Sequence, residues 1–209
     1  MDGMNANHLI TDAATLVALY GESSPASLTK EVDYLHPHYR AMIAASPFVV
    51  LATSGPGGLD VSPRGDPAGF VAIEDDRTLL IPDRRGNNRL DSMRNLIADP
   101  RIALLFLIPG VGETLRVNGR AAISTDPALL ARFPMQGKLP RSVIVVHVET
   151  AYFQCPKSLV RSELWNPAKH IDRKSLPSTG TILADISRGA AGGEQYDGEY
   201  PERMKATIY

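Results

Sequence analysis

Cysteine is almost absent from this sequence, and the single one that occurs, Cys155, cannot form a disulfide within the chain. The five histidines are scattered, so no Cys/His cluster has the spacing of a zinc site. Long hydrophobic runs are missing as well. The longest, residues 102–108, is far shorter than the roughly 20 residues that a transmembrane helix needs. The sequence therefore predicts neither a structural metal nor a membrane span.

No charge of one sign predominates, since 22 Lys and Arg stand against 23 Asp and Glu. A net charge of −1 gives no overall attraction to nucleic acid. Residues 1–7 have neither the basic nor the apolar region of a signal peptide, and the chain has neither a GxGxxG motif nor a P-loop. We expect a cytoplasmic protein with no nucleic acid and no membrane among its partners.

Short β-branched and apolar runs, separated by turn residues, occupy the middle of the chain. Residues 48–53 and 59–63 flank a Gly- and Pro-rich turn, which is typical of a hairpin. Similar runs follow, among them residues 78–82, 101–108 and 142–153. Because these strands do not alternate with helices, we expect a mainly β (α+β) fold in which about six antiparallel strands form a barrel flanked by helices.

Helical patterns precede and interrupt the strands. Residues 9–20, about 37–45 and 90–97 have helical spacing. Beyond residue 167 the chain is rich in Gly, Ser, Pro and charge, which is typical of an arm. We therefore expect a helical segment over residues 1–45 that packs on the barrel, a barrel domain over residues 46–168, and a C-terminal extension or arm over residues 169–209.

The segment 81–90 runs from the end of a strand through a Gly turn into a helix. Asn87 or Asn88 can cap that helix, whose first N–H groups and dipole favour an anion. Three arginines add fixed positive charge suited to phosphate: Arg84, Arg85 and Arg89. A solvated basic loop with an ordinary capped helix is the competing interpretation.

Two further segments carry candidate polar groups. Arg64 ends a strand and could reach the same anion with Asp66 orienting it, or the two could form an exposed ion pair that stabilises little. Farther along, Arg116, Asn118 and Arg120 share one face of a strand. That face could meet a partner subunit, the edge of a ring, or solvent.

A fourth segment, residues 153–165, contains the only thiol and the only tryptophan of the chain. Trp165 could flank a flat ligand, although a lone Trp more often packs in a core or an interface. Lys157 could lower the pKa of Cys155, yet we expect a buried and inert thiol. His147, which lies among valines, is expected to be packed.

Taken in this order, the segments resemble the pyridoxamine 5′-phosphate oxidase-like FMN-binding split barrels. In that family an Arg on one strand and a polar loop that enters a helix together hold the FMN phosphate. The positions of this chain that match the phosphate-binding and flavin-contacting stretches are Arg64, Ile81, Pro82, Asp83, Asn87, Asn88 and Arg89.

The resemblance is closer still to an uncharacterised subgroup of FMN-dependent enzymes. The segments shared with that subgroup are residues 46–53, 62–66, 82–89, 109–110, 114–119, 155–157, 161–162 and 164–165. The resemblance covers about residues 28–168 and implies a six-stranded antiparallel split β-barrel flanked by helices.

The resemblance also implies an activity and an assembly. The chain is expected to be an FMN-dependent oxidoreductase, with the flavin at the interface of a homodimer and Lys157, Ser158 and Trp165 completing the pocket. Asn88-Arg89 stand where the oxidase itself has Arg-Lys, and its C-terminal Trp–Arg motif is not evident, so a vitamin B6 substrate is not implied. The alternatives are a flavin carrier or redox sensor without turnover, and a split barrel that uses F420 or haem.

Overall fold

The computed structural model describes Asn5 and residues 8–209. The chain divides into two compact units, Met1–Glu31 and Val32–Tyr209. The first contains α1 (Ala13–Tyr20) and α2 (Pro25–Thr29). Among the described residues, every helix is too short or too polar to cross a membrane. The domain limits that the sequence predicts, at residues 45 and 168, stay predictions.

The second unit is built on seven strands and six α-helices. The strands are β1 (Phe48–Gly55), β2 (Gly58–Gly65), β3 (Ala72–Ile73), β4 (Thr78–Pro82), β5 (Arg101–Leu107), β6 (Thr114–Ser124) and β7 (Val143–Gln154). The helices are α3 (Pro37–Ala45), α4 (Asp91–Ala98), α5 (Pro127–Leu130), α6 (Lys157–Ser162), α7 (Thr179–Ile186) and α8 (Gly193–Thr207).

All neighbouring strands are antiparallel, and their order is β2-β1-β5-β6-β7-β4-β3. The sheet curls back on itself, because Arg64 on β2, at one edge, lies 2.7 Å from Asp83, which follows β4 near the other edge. The predicted mainly antiparallel α+β fold with flanking helices is therefore confirmed. The strand count of six is wrong: a seventh strand, the two-residue β3, pairs with β4.

The core lies between the concave face of this sheet and the helices α3 and α4. Alternate residues of each strand point inward, so β1 and β5 bury every second side chain. β4 is buried on both faces, since Leu79 and Ile81 join the main core while Leu80 joins a second cluster with Phe133 and Val143. The second cluster fixes the segment after α5 against β4, close to the site described below.

The helices begin and end largely where the sequence predicts. α3 coincides with the predicted residues 37–45, and Asp126 caps α5 by accepting from the backbone N–H of Ala128 through its carboxylate. The C-terminal segment differs from the expectation of an arm, because α7 and α8 form and pack on each other there. Residues 186–202 therefore include most of a helix, which their Gly and Pro content concealed.

Gly119 lies at a β-bulge of β6, where a side chain has no room. A methyl group at this position would overlap the carbonyl oxygen of His147 on β7. We expect Gly119→Ala to destabilise the fold by about 2 kcal/mol, the usual cost of overpacking. Gly57→Ala, where nothing lies within 4 Å of the added atom, is the matched control. Urea unfolding measures both, and equal stabilities would contradict the assignment of this close approach.

Candidate functional site

β2 presents a polar face to the inside of the curled sheet. Asp60, Ser62 and Arg64 alternate with outward residues and all line one cavity of ≈ 270 Å³. The loop after β4 and the start of α4 form the opposite wall. The complete lining is Asp60, Ser62, Arg64, Asp83, Arg84, Arg85, Gly86, Asn87, Asn88, Arg89, Leu90, Asp91, Ser92, Met93 and Arg141. The structure thus brings together the two segments that the sequence predicts to share an anion.

Two crossed ion pairs join these walls. Arg64 Nη1 lies 2.7 Å from Asp83 Oδ1, and Arg84 Nε lies 2.7 Å from Asp66 Oδ2. Both pairs are largely buried, since the four side chains are between 0% and 21% exposed. The prediction that Asp66 orients Arg64, or pairs with it at the surface, is wrong, because the curl of the sheet offers each residue a closer partner on the other segment.

Arg84 is held in one orientation by the second core cluster. Its Nη1 donates to the carbonyl oxygen of Phe133 at 2.7 Å, while Nε is occupied by Asp66. Phe133 is itself fixed by packing against Leu80 and Val143. A guanidinium held by two groups loses little freedom when it binds a ligand, which favours tight anion binding.

Arg64 has an unsatisfied donor. Its Nε is buried and makes no hydrogen bond with the described residues, although Nη1 is paired with Asp83. A buried donor without a partner is costly unless a ligand or water meets it. Arg64 therefore has donor capacity that its ion pair with Asp83 does not use.

The cavity has an excess of positive charge. Five arginines and three aspartates line it, and with Asp66, the buried partner of Arg84, an excess of one positive charge remains. In the described part of the chain, neither Arg85 nor Arg141 forms an ion pair with a carboxylate; Arg141 contacts only the side chain of Asn88, at 3.4 Å. An anion in the cavity would thus be attracted rather than repelled.

The start of α4 is left without a side-chain cap. Its N-cap, Leu90, has φ 60°, and no side chain accepts from the first N–H groups. The expectation that Asn87 or Asn88 caps this helix is wrong. Asn87 Oδ1 accepts from the backbone N–H of Arg89 at 3.1 Å, and Asn88 has φ 59°. Left-handed conformations at two non-glycine residues store strain of the kind that often accompanies ligand sites.

Arg89 lies at the rim of the cavity. Its Nε donates to Asp91 Oδ2 at 2.7 Å, and the side chain is 75% exposed. This hydrogen bond raises the pKa of Arg89 above its ordinary value, so the guanidinium stays charged. Asp91 sits in the first turn of α4, where the helix dipole already favours a negative group.

Pro82 and Asp83 lie at the end of β4, beside the cavity. Pro82 is buried, and the backbone N–H of Asp83 donates to Ser142 O at 2.9 Å. The amide of Asp83 is therefore not available to a ligand.

Lys157, Ser158 and Trp165 do not line this cavity. Lys157 and Ser158 are exposed on α6, and Trp165 Nε1 donates to Val111 O at 2.8 Å. Cys155 is exposed rather than buried as expected, because it follows the end of β7. His147 is also exposed, on the outer face of β7, and not packed.

One residue at the site was missed by the sequence analysis. Tyr209 donates its hydroxyl to Asp66 Oδ1 at 2.7 Å and lines two neighbouring cavities of ≈ 220 and ≈ 420 Å³. It lies 143 positions from Asp66 in the chain. No local pattern links residues at that separation, so only the folded structure could reveal the contact.

The segments that form the cavity fall within the match to a known family. Residues 35–155 match the family model of pyridoxamine 5′-phosphate oxidase. Comparison with curated proteins gives no match. Among solved structures, the chain is similar to HupZ from Group A Streptococcus (18% identity, TM-score 0.46, 56% of this chain and 90% of that one).

Two further structures show a similar degree of likeness. They are a putative pyridoxamine 5′-phosphate oxidase from Lactobacillus delbrueckii (17% identity, TM-score 0.45, 58% of this chain and 95% of that one) and another from Listeria innocua (17% identity, TM-score 0.44, 56% and 94%). The family model alone spans more than half of the 209 residues. The chain belongs to the pyridoxamine 5′-phosphate oxidase family.

Proposed function

We propose that the cavity between β2 and α4 binds the phosphate of FMN, and that the protein is a flavin-dependent oxidoreductase that acts on a small-molecule substrate. The observation that carries the proposal is the convergence of Arg64, Arg84 and Arg85 with an uncapped helix start in one cavity. Backbone N–H groups and arginines are the groups that bind phosphate in proteins. Members of the family commonly bind flavin.

The residues present fit a phosphate dianion. The buried Nε of Arg64 lacks a partner, and Arg85 and Arg141 supply charge that no carboxylate of the described chain matches. Arg64, Asn87, Asn88 and Arg89 would hold the phosphate, each from the wall of the cavity. Pro82 and Asp83 would lie beside the ribityl chain or the ring.

Bound FMN would supply the redox chemistry, while the protein supplies binding and orientation. Among the described residues, those that line the cavity between β2 and α4 include no His, Cys, Lys or Tyr. Its carboxylates are engaged: Asp83 by Arg64, Asp91 by Arg89, and Asp60 by the hydroxyl of Ser92 at 2.8 Å. None of these groups is poised as a general acid or base, so we propose that the residues of this cavity bind and orient the phosphate and take no part in proton transfer.

We further propose a homodimer with the flavin at its interface. The outward face of β1, β2 and β5 carries apolar side chains that lie side by side on neighbouring strands. Val61 is opposite Ala52, which is opposite Ala103. Leu59 is 87% and Val61 64% exposed there. A second copy of the chain is the occupant that we propose, since Lys157, Ser158 and Trp165 do not line the cavity of their own chain and would contact the flavin from the partner.

The alternatives receive less support from the geometry. Haem needs an axial His, Cys, Met or Tyr ligand, and the described lining offers only Met93, which is 8% exposed. A sensor based on Cys155 would place the exposed thiol in contact with the flavin, which, as for Lys157, would require the partner subunit, and an unchanged redox response in Cys155→Ser would reject it. F420 carries a phosphate as FMN does, so binding experiments with both must distinguish them.

Arg89→Ala tests the phosphate assignment. We expect FMN to bind about 10- to 100-fold more weakly, which is 1.5–3 kcal/mol for a charged hydrogen bond. Riboflavin lacks the phosphate and should bind the wild type and the variant alike. Titration calorimetry with both ligands gives the answer, and equal FMN affinity in the two proteins would remove Arg89 from the site.

Turnover distinguishes an oxidoreductase from a carrier. The FMN-loaded protein should be reduced by NADH, NADPH or another donor, and reoxidised within the time of a catalytic cycle. Stopped-flow absorbance follows both steps. If no donor from a broad panel reduces the bound flavin faster than free FMN, the carrier hypothesis replaces the enzyme.

A further inference from the structure

Asp66 is a fully buried carboxylate with two side-chain donors. Its side chain is 0% exposed. One oxygen accepts from Arg84 Nε and the other from the hydroxyl of Tyr209, both at 2.7 Å. A buried charge of this kind is tolerated only while its hydrogen bonds are made. The geometry of Asp66 therefore depends on Tyr209 as much as on Arg84.

Arg84 is the residue that Asp66 in turn restrains. It lines the cavity proposed for the phosphate and also the two neighbouring cavities. Nε and Nη1 are occupied by Asp66 and Phe133, and no hydrogen bond of Nη2 with the described residues is seen. The guanidinium carbon lies 5.8 Å from the centre of the Tyr209 ring. Arg84 is thus fixed on the protein side and keeps a donor for a ligand.

Tyr209 is brought to this place by the helical hairpin of α7 and α8. Asp197 on α8 accepts from the backbone N–H of Gly180 on α7 at 2.8 Å, which locks the two helices together. Lys138 then fixes the end of the segment by donating to Tyr209 O at 2.8 Å. Donation to Asp66 raises the pKa of the Tyr209 hydroxyl above its ordinary value, so the donor proton is retained at neutral pH.

We infer that Tyr209 is a positioning residue of the cavity, and that its hydroxyl holds Arg84 in its anion-binding orientation through Asp66. The inference rests on the proposed function. Tyr209 does not line the phosphate cavity itself, so it affects anion binding only through Asp66 and Arg84. The segment that the sequence predicts to be an arm is accordingly part of the site.

Loss of the hydroxyl should weaken the contacts of the protein with the phosphate and leave its contacts with the rest of the flavin unchanged. In Tyr209→Phe, Asp66 loses a donor in a buried place and competes more strongly for the remaining donors of Arg84. We expect FMN to bind about 3- to 10-fold more weakly and riboflavin unchanged. Tyr200→Phe, on α8 and outside the lining of the three cavities, should change neither affinity.

A double-mutant cycle with Arg84→Ala shows whether Tyr209 acts through Arg84. If it does, Tyr209→Phe weakens FMN in the wild-type background and has no further effect in the Arg84→Ala background. Equal fold-changes in both backgrounds, or no change in the wild type, would overturn the inference. A loss of riboflavin affinity equal to that of FMN would also overturn it, since a general structural defect would then be the cause.

The same cycle is measured by urea unfolding without any ligand. If the shift of the unfolding midpoint in the double variant differs from the sum of the two single shifts, the contacts from Tyr209 through Asp66 to Arg84 are supported. Additive midpoint shifts contradict them. If wild-type protein binds neither FMN nor inorganic phosphate, the proposed function fails. The unfolding cycle still decides whether Tyr209 restrains Arg84, so the two failures are distinguishable.

Discussion

Arg64→Ala should weaken FMN binding by about 100-fold or more, the largest effect of any single substitution at the cavity. The variant removes a guanidinium that lines the cavity, and each charge-assisted hydrogen bond to a phosphate contributes about 1.5–3 kcal/mol. Nε of Arg64 has no partner among the described residues, and the guanidinium contributes to the excess positive charge of the cavity. Fluorescence titration of FMN measures the change.

The same substitution leaves Asp83 unpaired, and this effect must be separated from the loss of affinity. Asp83 is only 16% exposed, so its carboxylate would be costly without Arg64. In the double variant Arg64→Ala with Asp83→Asn, the stability should largely return while FMN affinity stays low. Arg77→Ala is the matched control, because its ion pair with Asp33 is exposed and neither residue lines the cavity.

Restored FMN affinity in the double variant would contradict the direct role of Arg64. The phosphate would then depend on the neutrality of Asp83 and not on the guanidinium. Unchanged affinity in Arg64→Ala itself would remove Arg64 from the phosphate site, although its side chain lines the cavity.

Val61→Asp should convert the proposed dimer to a monomer. Val61 lies on the outward face of β2, 64% exposed, opposite Ala52 of β1. A carboxylate buried there without a partner would weaken association at least about 100-fold, which corresponds to about 3 kcal/mol. Sedimentation velocity of the wild type and the variant at equal concentration tests this.

Ile97→Asp is the control for the dimer prediction. Ile97 is 80% exposed on α4, away from the outward sheet face, so the variant should stay dimeric. If the flavin pocket is shared between the subunits, Val61→Asp should also bind FMN more weakly. Lys157→Ala should weaken FMN binding as well, although Lys157 does not line the cavity of its own chain. A wild-type protein that sediments as a monomer would contradict the dimer.

Much of the fold can be predicted from the sequence because the strands carry local signals. The alternation of β2 and the β-branched run of β1 mark a hairpin, and the bounds predicted for β4 coincide with the observed ones. β3 has a weak signal because only two of its residues pair. The sequence does not reveal α7 and α8, because these helices depend on packing against each other more than on intrinsic propensity.

The site can be predicted in part. The sequence marks Arg64 and the loop before α4 as neighbours of one anion, through charge and turn chemistry, and the structure places both in one cavity. The actual ion pairs could not be predicted, since the exchange of partners between Arg64–Asp83 and Arg84–Asp66 follows from the curl of the sheet. The contact of Tyr209 with Asp66 is likewise a property of the tertiary structure alone.

The absorption spectrum of the purified protein, recorded before and after addition of FMN and removal of unbound ligand, is the decisive test of FMN binding. We expect the bands of oxidised flavin to be retained by the wild type and lost in Arg64→Ala. A colourless wild-type protein that does not retain FMN at micromolar concentration would contradict it, and F420 and haem would be titrated in its place.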